Sequence, residues 1–174
     1  MKKKPWAYYN EKDPSAAQWI RELIKEKVVA PGEVDERSIE DVVPADLRGF
    51  DQHHFFAGIG VWSHSLIRAG WPDDRRVVTA SCPCQPFSAA GKQEGLSDER
   101  HLWPVFFELF QSLPSSPVLF GEQVSSNDAL EWFDVVKGDL NSIDYSVCAA
   151  DIPSAVVGAP HIRQRLYFVA EKNK

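Results

Sequence analysis

Cysteine is scarce, and what there is does not pair. Three occur, two of them as Cys82-Pro83-Cys84, an odd set that cannot close into a disulfide framework and suits a reducing, cytoplasmic setting. Long apolar runs are missing: none nears the roughly 20 residues needed to cross a bilayer. The basic start, Met1-Lys-Lys-Lys-Pro-Trp6, has no apolar stretch behind it. Neither a membrane span nor a secretory leader is therefore expected. Positive charge is in deficit as well. Nineteen Lys and Arg face 25 Asp and Glu, a formal net charge of -6, which excludes a protein gripping nucleic acid over its whole surface. Any contact with DNA has to come from a local basic patch, from a partner, or from a pocket that takes one nucleotide. Internal repeats and long linkers are absent too. What remains is 174 residues, 44% hydrophobic and 25% charged, enough for one domain with a core that needs no disulfide or structural metal.

The periodicity reads as strands alternating with helices. A short aromatic strand, Trp6 to Asn10, precedes Asp13-Pro14, a good N-cap followed by a residue at home in a first helical turn. Ala16, Trp19, Ile20, Leu23 and Ile24 then recur at helical spacing until Pro31-Gly32. Glu33 to Asp46 carries six carboxylates against one arginine and reads as solvated loop around at most a short strand. His53 to Ala57 is an apolar strand running into Gly58-Ile59-Gly60, with a helix from Trp62 to Ala69 behind it. Further strands are expected at Val77–Cys82, Val118–Phe120, Tyr145–Ala150 and Leu166–Ala170. Helices are expected at Glu99–Gln111 and at Asn127–Leu140, the latter with Leu130, Phe133 and Val135 or Val136 inward. This alternation means an α/β fold, a mostly parallel sheet with helices on both faces and ligands beyond the carboxyl ends of its strands.

Two segments carry chemistry. Phe56-Ala57-Gly58-Ile59-Gly60 takes a strand into a helix through two glycines, which let the chain turn tightly and a ligand approach the backbone. A plain glycine turn is the commoner reason for such a pattern. Pro83-Cys84-Gln85-Pro86-Phe87-Ser88, followed by Gly91-Lys92-Gln93, is more specific. A cysteine after an apolar strand, between two prolines, is held in place, and its thiolate is a nucleophile where dipoles or cations lower its pKa. An isolated cysteine is more often a small buried hydrophobe. Cys82-x-Cys84 lacks a second ligand pair at zinc spacing, so no metal is expected.

Pro83 to Ser88 resembles the nucleophile loop of the C5-cytosine DNA methyltransferases, and other segments agree in the family's order. Phe56 to Gly60 is similar to its cofactor-binding turn, and Asp98-Glu-Arg100-His101-Leu102 to its next block. Gly121-Glu122-Gln123-Val124 stands where the family has Glu-Asn-Val, and Pro160-His161-Ile162-Arg163-Gln164-Arg165 where it has Pro-Gln-x-Arg-x-Arg. The resemblance implies a Rossmann-like, S-adenosylmethionine-dependent methyltransferase fold acting on double-stranded DNA. Cys84 would be the nucleophile, Glu122 the donor at cytosine N3, and Arg163 and Arg165 forked donors to the base carbonyl, the glutamate or a phosphate. Gln85, Ser88 and Gln93 fall in the substrate-binding loop. Phe56, Gly58, Gly60 and Pro83 would face the cofactor's methionine end.

One order is unusual. Only 22 residues, 61 to 82, separate Gly60 from Pro83, where the family places two further strand units. Tyr8-Tyr9-Asn10-Glu11 resembles the strand ending in the ribose-binding glutamate. Val34-Asp35-Glu-Arg-Ser38-Ile39 resembles the adenine-side segment, with Ser38 where Asp is usual. The chain is thus expected to be a single catalytic domain in circularly permuted order, with residues 1–50 as the transposed cofactor-binding segment and 51–174 as the rest. A solvated helix-entry carboxylate is the competing role for Glu11. Val61 in place of a second glycine is expected to crowd the cofactor turn, while Gln123, His161 and His101 are milder departures. The family's target-recognition domain and final cofactor-supporting segment have no counterpart in these residues. Three readings follow: a core needing a second polypeptide, a truncated product, or a core of low specificity. A cofactor-binding relic and an RNA cytosine methyltransferase are the alternatives, and a phage or restriction-modification setting is implied by analogy alone.

Overall fold

The structure, a computed structural model, describes residues 6–83 and 102–174. Seven strands form one sheet: β1 (Ala7–Asn10), β2 (Gly32–Asp35), β3 (Gln52–Phe55), β4 (Val77–Ala80), β5 (Val118–Val124), β6 (Tyr145–Pro153) and β7 (Gln164–Lys172). Their spatial order is β2-β1-β3-β4-β5-β7-β6. The first five are parallel, and β7 is antiparallel to both β5 and β6. Among the described residues four helices pack on the sheet: α1 (Pro14–Lys25), α2 (Val61–Arg68), α3 (Trp103–Ser112) and α4 (Asn127–Ser142).

Strand alternation sorts the core into two layers. Tyr8, Phe55, Val78 and Leu119 enter a large cluster with Trp103, Phe106, Trp132, Val136, Leu140 and Phe168, under α3 and α4. Ala7 and Tyr9 point the other way, to Ile20, Val29 and Ala30 beneath α1. Both faces of β1, β3 and β4 are buried throughout, β3 burying Gln52, His53 and His54 beside Phe55. On the α1 and α2 side the buried polar groups are partnered. The Tyr9 hydroxyl donates to the Ala30 carbonyl at 2.7 Å, the Ala30 N–H donates to Ser63 Oγ at 3.0 Å, and His54 Nδ1 meets Thr79 Oγ1 at 2.8 Å.

The expected helix entry at Asp13 is present, its side chain accepting the Ala16 N–H at 2.8 Å. One inward position is corrected, and one residue of the apolar spacing lies outside. Trp19 is 54% and Leu130 52% exposed. Their helices instead turn Ala17 and Ile20, and Ala129, Trp132, Val136 and Leu140, to the sheet, because those positions share one face at three- and four-residue spacing. The acidic stretch from Glu33 contributes β2 and a 3-10 turn, Ile39–Asp41, with Ile39 buried. Helix α3 begins at Trp103, and residues 99–101 of the expected helix lie outside the described residues.

Candidate functional site

At the carboxyl ends of β3, β4 and β5 the chain leaves a cavity of about 680 Å³, within the range of small-ligand sites. The glycine turn forms one wall. Phe56, Gly58 and Gly60 have φ of +53°, +55° and +78°, so this strand-to-helix turn is left-handed at three places. Glycine adopts that at no cost, whereas Phe56 is held there against its preference. Phe56 and Gly58 line the cavity. Gly60 does not: it sits behind the turn, where a Cβ would meet Val29, Leu23 and Ile20 at 3.4 to 3.8 Å. Val61, expected to crowd the turn, is 58% exposed and lines the cavity with Ile59.

Opposite stands a charged pair. Glu122 leaves β5 toward the cavity and its Oε1 lies 2.7 Å from Arg165 Nε on β7, both side chains about four-fifths buried. The antiparallel register sets this contact, since Glu122 pairs with Tyr167 and Val124 with Arg165. Arg163, His161, Ser154 and Tyr167 complete that wall. Between the two walls, the Trp62 indole N–H donates to Ser81 Oγ at 2.9 Å, and its ring lies 6.0 Å from Phe120 and 6.1 Å from Tyr167. Trp62 and Ser81 both line the cavity. Neither residue stood out in the sequence as a site residue; for Trp62 the signal was an aromatic residue two positions after the glycine turn, and Ser81 carried none.

Glu11 is joined to the turn across 47 residues of sequence. Its Oε2 accepts the Gly58 N–H at 2.6 Å and its Oε1 accepts the Asp13 N–H at 2.9 Å. A carboxylate offers about four acceptor positions, so Glu11 clamps the turn and retains capacity for hydroxyl donors. Asn10 fixes the neighbouring loop, its side-chain amide donating to the Arg37 carbonyl at 2.9 Å. Ser38 follows there as the cap of the 3-10 turn, with its hydroxyl donating to Glu40 at 3.0 Å. Arg37 spans Asp35 and Asp46 at 2.6 and 2.8 Å; the Val43 N–H and then Arg37 hold the Asp46 carboxyl below the usual carboxylate range, and against the opposing effect of burial Arg37 does the same for Asp35. Glu11 and Ser38 thus lie at the ends of adjacent strands beside the glycine turn, and neither lines the cavity shared by Phe56 and Glu122.

Pro83 is exposed at the end of the segment that follows β4. Cys84, Gln85, Ser88, Gln93 and His101 lie outside the described residues. Cys82 is buried, which pushes its thiol up to about 12 and makes it a poor thiolate source. Gln123 is 2% exposed; its Oε1 accepts the Val124 N–H at 2.9 Å, and its Nε2 has no partner among the described residues. Among the described residues no cluster of three His, Cys, Asp or Glu is placed to hold a metal ion, and no helix is long and apolar enough to cross a membrane.

A parallel sheet closed by an antiparallel pair, with a glycine turn and an acidic residue at adjacent strand ends, defines a Rossmann-like methyltransferase fold. The crystal structure of S. pombe Dnmt2 methyltransferase superposes with a TM-score of 0.57 at 12% identity, covering 98% of this chain and 52% of that one. The Entamoeba histolytica methyltransferase EhMeth gives 0.57 at 13% identity, covering 99% and 54%. At such identities the likeness is one of fold. Sequence supplies the family: a family model for C-5 cytosine-specific DNA methylase matches residues 70–174, and the chain belongs to that family. Among curated relatives, Type II methyltransferase M.HhaI of Haemophilus parahaemolyticus is 33% identical over 105 residues, 58% of this chain and 32% of its own. Type II methyltransferase M.MspI of Moraxella sp is 31% identical over 141 residues, 76% and 34%. The chain spans about a third of the length of these relatives.

Proposed function

We propose that this chain is the catalytic core of a DNA cytosine-5 methyltransferase that uses S-adenosylmethionine. The observation that carries the reading is the Glu122–Arg165 pair facing the glycine turn across one cavity. A target base and a methyl donor have to meet in such an arrangement. S-adenosylmethionine supplies the methyl group when bound. Glu11 with the Gly58 turn fits its ribose and methionine side, and the Ser38 loop fits its adenine side.

The chemistry falls to four side chains. Cytosine C5 is a weak nucleophile, so the Cys84 thiolate adds to C6 and pushes electrons into the ring. Glu122 meets the charge that develops at N3. Arg165 positions Glu122 through the ion pair, and its fork together with Arg163 suits the base carbonyl or a flanking phosphate. After transfer the C5 proton passes to water, its bonding pair re-forms the C5=C6 double bond, and the C6–S bond breaks to release the Cys84 thiolate.

A base within a duplex cannot reach this cavity, so the target is flipped out. One pocket then suffices for chemistry in a chain of net charge -6. Arg163 and Arg165 are the cavity's only Lys or Arg among the described residues, so the grip on flanking DNA falls to surfaces outside this cavity. The position of β3 between β1 and β4 supports the permuted reading of residues 1–50.

The test is transfer of labelled methyl groups from S-adenosylmethionine to mixed-sequence duplex DNA and to transfer RNA, with Cys84→Ala as control. Incorporation into DNA that vanishes in the control supports the reading. Incorporation into RNA alone moves the substrate, and incorporation that persists in Cys84→Ala removes Cys84 from the mechanism.

A further inference from the structure

The turn between β6 and β7 has a surface that folding does not account for. Val156, Val157 and Ile162 are 67%, 81% and 80% exposed, branched aliphatic side chains held in water where each is unfavourable. The segment is nonetheless fixed. Ser154–Val157 is a 3-10 turn ended by Gly158 at φ +87°. The Ser154 N–H and hydroxyl both donate to the Arg163 carbonyl at 3.1 Å, and the Ala159 N–H donates to the Ser154 carbonyl at 3.2 Å. The turn also stands at the mouth of the cavity, whose wall includes Ser154, His161 and Arg163. Its charge differs from that of the chain as a whole. No Asp or Glu occurs from Ile152 to Ala170, a stretch that contains Arg163 and Arg165, although the chain is acidic overall.

We propose that this turn is an apolar wedge for duplex DNA. Val157 and Ile162 enter the base stack beside the target and fill the step that a flipped-out base vacates, while Arg163 at the foot of the turn meets the adjacent phosphate. The inference rests on the DNA reading above and adds to it the surface that opens the duplex. Unstacking is unfavourable, and apolar side chains inserted at the opened step offset it. Arg165 is paired with Glu122, but Arg163 is exposed at the foot of the apolar tip and complements the phosphates flanking an opened step, which is what selects DNA over a protein as the occupant of this tip.

The experiment compares binding of the full chain, at low salt, to two short fluorescent duplexes, one fully paired and one with a single abasic site. A wedge prefers the duplex whose step is already open. The chain is expected to bind the abasic duplex about tenfold more tightly. The Val157→Ser/Ile162→Ser double variant, altered only at exposed positions, is expected to keep its melting temperature and its affinity for paired DNA but to lose the preference. A variant that keeps the preference overturns the wedge and leaves the DNA reading standing. A dimer in sedimentation that the same double variant dissociates also overturns it, assigning the tip to self-association. Failure of the unaltered chain to bind either duplex overturns the DNA reading, and the wedge with it.

Discussion

Replacing Glu11 by alanine is expected to loosen the glycine turn and weaken cofactor binding together. The carboxylate accepts one partly buried N–H, from Gly58 at 2.6 Å, and one exposed N–H, from Asp13 at 2.9 Å. A hydrogen bond to a charged group contributes about 1.5–3 kcal/mol, so the Gly58 bond is set at the lower end for its partial exposure. The Asp13 bond, in water, adds about 0.5 kcal/mol at most. Losing both costs about 2 kcal/mol, and at about 2–4 °C per kcal/mol for a chain of this size the variant melts about 4–8 °C lower. Removing a charged acceptor from the ribose hydroxyls weakens S-adenosylhomocysteine binding about tenfold or more on the same scale. Glu11→Gln separates the two effects. Its single carbonyl oxygen can still accept from Gly58, so it recovers most of the stability and little of the affinity. Thermal melts and calorimetric titration with S-adenosylhomocysteine read both quantities. A Glu11→Ala protein that melts and binds as the original does would refute the clamp, and with it the assignment of residues 1–50 to the cofactor.

Acid sensitivity above pH 5 is expected to come from the buried histidines. His54, 1% exposed and stacked on Tyr9, has its pKa pushed down to about 3, chiefly by burial, and burial shifts His53 the same way. The unfolded chain, titrating near 6.5, therefore binds more protons than the folded one. Stability is fully present above about pH 6.5 and falls towards pH 3, at up to about 1.4 kcal/mol per unit for each group. Urea midpoints at pH 7 and 5 should differ less in His54→Gln, and equal differences in the two proteins would reject the account. Trp62→Phe is expected to cost about 1 kcal/mol through the lost Ser81 bond. Adding Ser81→Ala to it should cost little more in a double-mutant cycle, so full additivity would show that the bond contributes nothing. Gly121→Ala places a methyl into the Phe168 ring and should destabilise by about 1–3 kcal/mol. Phe168→Leu in the same chain should recover part of that, and a Gly121→Ala melt identical to the original would show the packing to be slack.

Much of the architecture was legible because the strands are short apolar runs between turn residues and the first helix opens on Asp13-Pro14. Faces were less legible. An apolar residue on a helix does not say which neighbour it meets, so Leu130 was expected inside where Trp132 is buried, and Trp19, part of the apolar spacing of its helix, is exposed beside buried Ala17 and Ile20. The expected end of β5 at Phe120 falls short of Val124, because Glu122 and Gln123 break the apolar pattern there. That break marks the site: a strand end that builds a cavity carries the polar residues a core strand would not. The pairing of Glu122 with Arg165, and of Glu11 with Gly58, depends on sheet register and on strand adjacency. Composition and periodicity carry neither, and only the family resemblance brought these residues together beforehand.

The sheet order also bears on the proposed rearrangement of residues 1–50. Strand β3, which delivers the glycine turn, has β1 and β4 as its neighbours, and β2 lies outside β1 at the edge. Returning the β1–α1–β2 unit to the interval between α2 and β4 would change no strand pairing, only two connections. A circular permutation of the whole chain would instead have carried the glycine strand to one terminus, whereas here it follows β2 and precedes β4. On the proposed reading the transposition is confined to the first three strands, and β4 to β7 keep their sequence. Its tolerance has a local cause. Parallel strands need long crossovers whatever their order, so the chain crosses between β2 and β3 through residues 36–51, a stretch that already holds the 3-10 turn and the Arg37 ion pairs. The site survives because it is built from spatial neighbours: Glu11 reaches Gly58 across adjacent strands, and that contact does not depend on which strand was made first.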